Sequence, residues 1–144
     1  MKAINVMKMS FYSRSVNEGF ARGALAAFIA QADPTVPQLA DIKTAVSEAV
    51  TNSIVHAYPQ QVGLVYLTVW IYPEGQIKVT VMDKGVGIEN IQKAMEPMYT
   101  TGDPEERAGL GFAVMQSFMD KVKVTSSTGK GTRVTMWKQV GAGR

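Results

Sequence analysis

Two neighbouring stretches of the chain alternate apolar and polar residues with a period of two, the pattern of half-buried strands. Val65, Leu67, Val69 and Ile71 share one parity, Pro73-Glu74-Gly75 turns the chain, and Ile77, Val79 and Val81 take up the alternation again. Met7, Met9 and Phe11 predict an earlier strand, with Lys8 and Ser10 on its opposite face. Val122 with Val124, and Val134 with Met136, predict two more, joined by the turn Thr128-Gly129-Lys130-Gly131. After the first strand the apolar period lengthens to that of a helix. Val16, Phe20, Ala24, Ala27 and Phe28 form one stripe, behind a Ser15-Val16-Asn17-Glu18 sequence that has the form of a capping box. Asp33-Pro34 ends this helix, because proline disfavours helical backbone in the residue before it. A second helix is predicted from about Pro37 to Ala57, with Leu39, Ile42, Val46, Ala49, Val50 and Ser53 on one stripe. A short helix near Glu89 to Met95 and a buried one over Leu110 to Met119 complete the set.

The predicted order is strand, two helices, two strands, a loop-rich insert, a helix and two strands. Strands joined by such short turns are not parallel neighbours, since a parallel crossover needs a dozen or more residues. The expectation is an α/β fold of the α+β sandwich type, with a mixed, largely antiparallel sheet and helices packed on one face. With 144 residues and no linker, repeat or low-complexity tract, the chain is expected to form one domain over residues 1–144.

Composition narrows the chemistry. Cysteine is absent and His56 is the sole histidine, which excludes disulfides, thiolate metal sites, cysteine nucleophiles and paired-histidine zinc sites. His56 by itself reads as a packed or capping residue. The longest apolar run, Ala24 to Ala30, falls far short of the ~20 residues of a membrane span, and no secretory leader is visible. A soluble cytoplasmic protein is therefore expected. The net charge of +3 is spread over both halves in mixed sign, with no cluster of Lys or Arg among aromatics. No direct nucleic-acid partner is expected. The Gly-x-x-x-x-Gly-Lys-Ser/Thr phosphate loop is missing, which removes the P-loop NTPases.

Four segments could carry chemistry. Glu48 and Asn52 lie roughly 40° apart on one face of the second helix, turned away from the Val46, Ala49 and Val50 stripe. A carboxylate there can take a proton, and an amide oxygen can ligate a hard cation such as Mg2+. A solvated helix exterior has the same spacing. Asp83-Lys84-Gly85-Val86-Gly87 follows a strand, where the carboxylate can accept from an exocyclic amine and the glycines let backbone approach a flat ring. A plain turn has the same composition. Gly109-Leu110-Gly111 is expected just before the helix at Phe112, where free N–H groups and the helix dipole meet an anion. Between the glycine segments, the polar run Thr100 to Arg107 suits a mobile lid, with Arg107 able to face phosphate. In chain order, a base-and-metal helix, a ring site, a lid and a phosphate cradle compose one ATP pocket.

Taken together, Glu48-x-x-x-Asn52, Asp83-x-Gly85-x-Gly87, Gly109-x-Gly111 and Gly131-Thr132 resemble the four nucleotide motifs of the gyrase, heat-shock-chaperone and histidine-kinase ATPase superfamily. Phe11-x-Ser13-Arg14-Ser15, Asn17-Glu18-x-Phe20-Ala21-Arg22, Val46-Ser47-Glu48-Ala49-Val50-Thr51-Asn52 and Phe118-Met119-Asp120 resemble the bacterial anti-sigma F factors, small serine-protein kinases of sporulation. That resemblance covers nearly the whole chain. It implies ATP and Mg2+ as cofactors, with Asn52 ligating the metal and Glu48 acting as catalytic base toward a protein serine. It implies that Asp83, with Gly85, Gly87 and Thr132, holds adenine. Gly109, Leu110 and Gly111 then present N–H groups to the phosphates, and Thr100, Thr101 and Arg107 belong to the lid. The implied protein is a homodimer that binds and inhibits an RNA polymerase sigma factor and phosphorylates an anti-anti-sigma protein, with Arg22 at the partner surface. Gly102-Asp103 departs from the basic residue that follows the paired threonines in relatives. A nucleotide-gated sigma-binding protein without effective phosphoryl transfer is the alternative reading.

Overall fold

Among the described residues, five strands and three main helices follow one another as β1 (Asn5–Tyr12), α1 (Val16–Ile29), α2 (Val36–Asn52), β2 (Leu64–Ile71), β3 (Gln76–Asp83), α3 (Pro104–Phe118), β4 (Lys121–Ser127) and β5 (Gly131–Gln139). The computed structural model describes residues 2–91 and 104–141, and over 104–110 the backbone alone. The strands form one sheet in the order β1-β2-β3-β5-β4, each neighbouring pair antiparallel. This is the expected α/β architecture, with the sheet antiparallel throughout the described residues.

Register follows from the alternation. Met7, Val69, Val79, Met136 and Val122 stand side by side across all five strands and face the helices. One residue along, Lys8, Thr68, Thr80, Thr135 and Lys123 form the matching row on the bare face. A one-residue slip would exchange the two rows, so burial of one face fixes the pairing. The core lies between the sheet and α1, α2 and α3, where Leu25, Ile42, Val46, Leu67, Ile77 and Phe112 are buried. Each such large apolar side chain contributes about 1.5–3 kcal/mol. On the bare face, lysines cover aromatic rings, with Lys78 Nζ 4.6 Å from the centroid of Trp70 and Lys121 Nζ 5.0 Å from that of Trp137.

Helix boundaries and faces differ from expectation in four places. α1 buries Ala21, Leu25 and Ile29, while Val16 and Phe20 of the predicted stripe are 76% and 62% exposed. The sequence held two overlapping stripes, and the interior took the one with the branched aliphatics. Ser15 makes no side-chain cap, since its own backbone is already helical at φ −57° and ψ −32°. The working capping box belongs to Thr35 and Gln38, at the start of α2. α2 ends at Asn52 and continues as a single wider π turn, Ser53–Ala57. Finally, α3 starts at Pro104 rather than near Phe112, because proline followed by Glu105 and Glu106 supplies a helix start about two turns earlier. The short helix expected near Glu89 to Met95 lies, past Ile91, outside the described residues.

Candidate functional site

β3 delivers Asp83 to the helix-covered side of the sheet as the last paired residue of the strand, opposite Val65 and Thr132. It is only 5% exposed. One carboxylate oxygen, Oδ1, accepts the backbone N–H of Gly85 at 3.0 Å and of Thr132 at 3.2 Å. The other, Oδ2, accepts the Ser53 hydroxyl at 3.0 Å. Behind Asp83 the chain is pressed onto the end of α2. Val86 N–H donates to Ala57 O at 2.8 Å, and a Cβ on Gly85 would lie 2.1 Å from that same oxygen. Only glycine permits this approach. Gly87 is needed twice over, since its φ is +78° and a Cβ there would lie 2.2 Å from Ser127 O. Ser126 closes the rim by accepting the Ile88 N–H at 2.7 Å and sharing a hydrogen bond with the Thr132 hydroxyl at 2.8 Å.

Across from Asp83, α2 and its π turn present Asn52, Ser53 and His56. With Gly87, Ile88, Phe112 and Thr132 these residues line a hollow of about 50 Å3. Asn52 and Asp83, expected to frame a nucleotide, therefore share one cavity. Its volume suits one or two waters, at about 30 Å3 each, and not a purine. α3 bounds it on one side, where Phe112 lines the hollow. A Cβ on Gly111 would lie 2.9 Å from Asn52 Nδ2 and 3.3 Å from Glu48 Oε2. Asn52 Nδ2 is buried there without a hydrogen-bond partner among the described residues.

The phosphate cradle is arranged differently from expectation. Gly109, Leu110 and Gly111 lie within the helical backbone of α3, where N–H groups pair with carbonyls four residues earlier, instead of at a free helix start. Arg107 is on the same helix, and Thr100 and Thr101 lie outside the described residues.

Glu48 is half-buried beside Asn52, on the side toward α1. Burial raises its pKa above the ordinary carboxylate range, and the charge of Glu18 raises it further. Glu18 itself accepts the Ser47 hydroxyl and lies 3.5 Å from the Arg22 guanidinium. Between α1 and α2 a second hollow, of about 410 Å3, is lined by Arg22, Lys43, Thr44, Ser47 and Glu48. Glu48 thus stands beside Asn52, on the wall of an open, cation-rimmed cleft. A larger depression of about 570 Å3 lies on the bare sheet face among Lys8, Thr68, Trp70 and Lys78, and contains none of the candidate residues.

Sequence reasoning missed Ser53, Ser126 and Glu18. The first had a legible signal, because a serine on an otherwise apolar helix stripe must find a buried partner. Ser126 and Glu18 are recognisable only once β4 and α1 are placed.

The histidine kinase-like ATPase domain family matches the chain over residues 13–138. The chain is 52% identical over 144 residues, the whole of both sequences, to the anti-sigma F factor of Caldanaerobacter subterraneus subsp. tengcongensis. It is 52% identical over 136 residues, 94% of each, to that of Clostridium beijerinckii. Among solved structures, a Mycobacterium tuberculosis chain with RsbU and RsbW domains matches with a TM-score of 0.70 at 17% identity, over 94% of this chain and 32% of that one. The histidine kinase domain of a blue-light activated kinase from Erythrobacter litoralis gives 0.59 at 24% identity, over 85% and 61%. At such identities the structures speak for the fold alone, and this chain spans about a third of the first. The protein belongs to the histidine kinase-like ATPase family and, within it, to the anti-sigma F factors.

Proposed function

We propose that the protein binds and inhibits a sporulation sigma factor in the cytoplasm and, with Mg-ATP, phosphorylates an anti-anti-sigma protein on serine. Residues 1–144 act as one kinase and anti-sigma domain, working as a homodimer. The observation that carries this reading is the meeting of Asn52 and Asp83 in one hollow, with Glu48 beside Asn52 on the wall of an open cleft.

The donor set fits the implied cofactors. The buried amide nitrogen of Asn52, without a partner among the described residues, suits a ligand that brings polar atoms with it, as a hydrated divalent ion on a polyphosphate does. Asp83, rigidly held, accepts an amine from the base, while Gly85 and Gly87 let the loop pack closely on the neighbouring backbone beside it and Thr132 stands next to the carboxylate. Gly109, Leu110 and Gly111 donate N–H groups to phosphate oxygens once the first turns of α3 give way, and Thr100, Thr101 and Arg107 close over them. Bound Mg2+ neutralises charge on the transferring phosphoryl group. Glu48 takes the proton of the acceptor serine, a task helped by a pKa moved toward neutrality. Arg22 and Lys43 rim the cleft through which that serine enters, and exposed Phe20 and Val16 extend the partner surface along α1.

Incubation with γ-labelled ATP and a serine-bearing anti-anti-sigma protein tests the reading. Label on the partner serine, absent without Mg2+, is the expected result. Sigma inhibition without transfer would instead favour a nucleotide-gated binder, and neither activity would overturn both.

A further inference from the structure

The cations of this chain are scattered in sequence, and strand pairing gathers five of them. Lys8 of β1, Lys78 of β3, Arg133 of β5, and Lys121 and Lys123 of β4 all stand on the bare face of the sheet. No acidic residue occupies a strand position there. Asp83, the one strand carboxylate among the described residues, turns to the helices. Without these five of its fifteen basic side chains, the sequence would hold ten against twelve acidic ones, so the net charge of +3 comes from this face. The described ion pairs, Arg22 with Glu18 and Lys138 with Asp41, lie elsewhere, and the five have no carboxylate partner among the described residues. Like charges gathered on one face repel, and a bound polyanion relieves that repulsion.

The face also has shape. Lys8, Ser10, Thr68, Trp70, Lys78 and Arg133 line a depression of about 570 Å3. Thr80 and Thr135 form its middle, sharing a hydrogen bond at 3.4 Å across the β3–β5 ladder. Ammonium, guanidinium and hydroxyl groups all donate, so the lining suits an acceptor such as carboxylate. Nucleic acid would add its bases, which stack on open rings. Here Lys78 covers Trp70, Lys121 covers Trp137, and Lys84 Nζ lies 5.3 Å from the centroid of Tyr66. A second copy of the chain, meeting this face with its own, would set the five cations against the same five.

We propose that the bare face of the sheet is a docking surface for an acidic, extended segment of a partner protein, separate from the nucleotide hollow and from α1. The row from Lys8 to Lys123 crosses five strands at ~4.8 Å spacing, about 19 Å, which some six extended residues span. Exposed ion pairs are individually weak and screened by salt, so the five cations act as a set.

Trp70 and Trp137 are the two tryptophans of the chain, and both stand on this face, so their emission reports on it alone. The test titrates the full chain into a dye-labelled peptide of about eight glutamates, long enough at ~3.3 Å per residue to cross the row. Anisotropy gives the affinity and tryptophan emission the location, at low and high salt. The wild type is compared with Lys8→Gln/Lys78→Gln/Arg133→Gln and with Lys8→Arg/Lys78→Arg. Saturable binding that shifts tryptophan emission and weakens with salt is expected. The glutamine variant should bind about tenfold more weakly, the sum of three weak pairs, while the arginine variant binds as the wild type does. ADP binding should be the same in all three, which keeps this result distinct from the nucleotide reading. Lys78→Gln alone, weaker by a few-fold, decides the matter should the triple variant not fold. Absence of binding, or equal binding by the glutamine variants, would overturn the proposal. So would tighter binding of an equally charged oligothymidylate, or a change of oligomeric state in the glutamine variant, which would make the face a nucleic-acid surface or an interface between copies.

Discussion

Thr132 and Asp83 face each other across the β3–β5 ladder, and the Thr132 N–H donates to the Asp83 carboxylate at 3.2 Å. The acceptor of the proposed base site is therefore built into the sheet, with the Gly85 N–H as its second backbone anchor. Asp83→Asn keeps an oxygen for those two donors, so the fold should persist. It presents an amide N–H2 where the base needs an acceptor. Affinity for ADP is expected to fall about 10- to 100-fold, the range for a hydrogen bond to a charged group. A titration paired with a thermal melt checks both halves, and unaltered ADP binding would place the base elsewhere.

Glu48 ties activity to stability in opposite senses. Folding raises its pKa, chiefly by burial and secondarily by Glu18. Between the ordinary carboxylate range and that raised value, the folded state holds more protons than the unfolded one. Stability therefore falls as pH rises through this window, and the loss is complete once the raised value is passed. Glu48→Gln removes the ionisable group and should melt higher than the wild type at pH 7, the gain shrinking as pH drops through this window and gone below the usual carboxylate range. Phosphoryl transfer should drop by about 10²–10⁴, with ADP binding retained. Wild-type transfer should lose rate on acidification at a pH above the ordinary range for a glutamate. Single-turnover labelling across pH measures both.

The strands, the turns that join β2 to β3 and β4 to β5, and the glycine-bearing Asp83 loop were legible because period-two alternation and turn residues are local signals. Every predicted inward position on β2 and β3, from Val65 to Val81, is buried. α1 was harder. Phe20 and Leu25 lie on overlapping stripes of the same helix, and only packing against the sheet decides which one turns inward. The cap was misplaced for a related reason, since Glu18 answers to Ser47 on another helix and not to Ser15 beside it. At the site, spacing alone put Glu48 and Asn52 on one face. It could not show that Asn52 and Asp83 line one hollow, because that is a property of how α2 lies on β3. The glycines at 109 and 111 misled most: they signal a loop locally, yet Pro104 starts the helix before them.

The exposed apolar end of α1 invites a separate test. Phe20 is 62% exposed and Val16 76%, next to Arg22, and burial in the folded chain accounts for neither. Phe20→Ala should leave the melting free energy within about 0.5 kcal/mol, as surface changes usually do. Large aromatics and arginines dominate interface energies, so sigma-factor affinity should weaken about tenfold or more, and Arg22→Ala should act in the same direction. Surface-immobilised sigma factor and a melt of each variant separate the two effects. Unchanged binding in both variants would remove α1 from the partner surface.

Asn52 makes the sharpest prediction, because its amide nitrogen is buried and has no partner among the described residues. An unsatisfied buried polar group costs about 1–3 kcal/mol, a penalty that a residue kept for structure alone would not carry. Asn52→Ala removes the orphan and leaves only a small void beside Gly111. The variant should be more stable by about 1 kcal/mol, a rise of a few degrees in Tm for a chain of this size. The same substitution takes away the proposed metal ligand, so the strengthening of ADP binding by Mg2+ should largely disappear. Melting curves and ADP titrations with and without Mg2+ test the pair together. A lower Tm with wild-type Mg2+ dependence would mean that Asn52 supports the fold and that the ion is held by other groups.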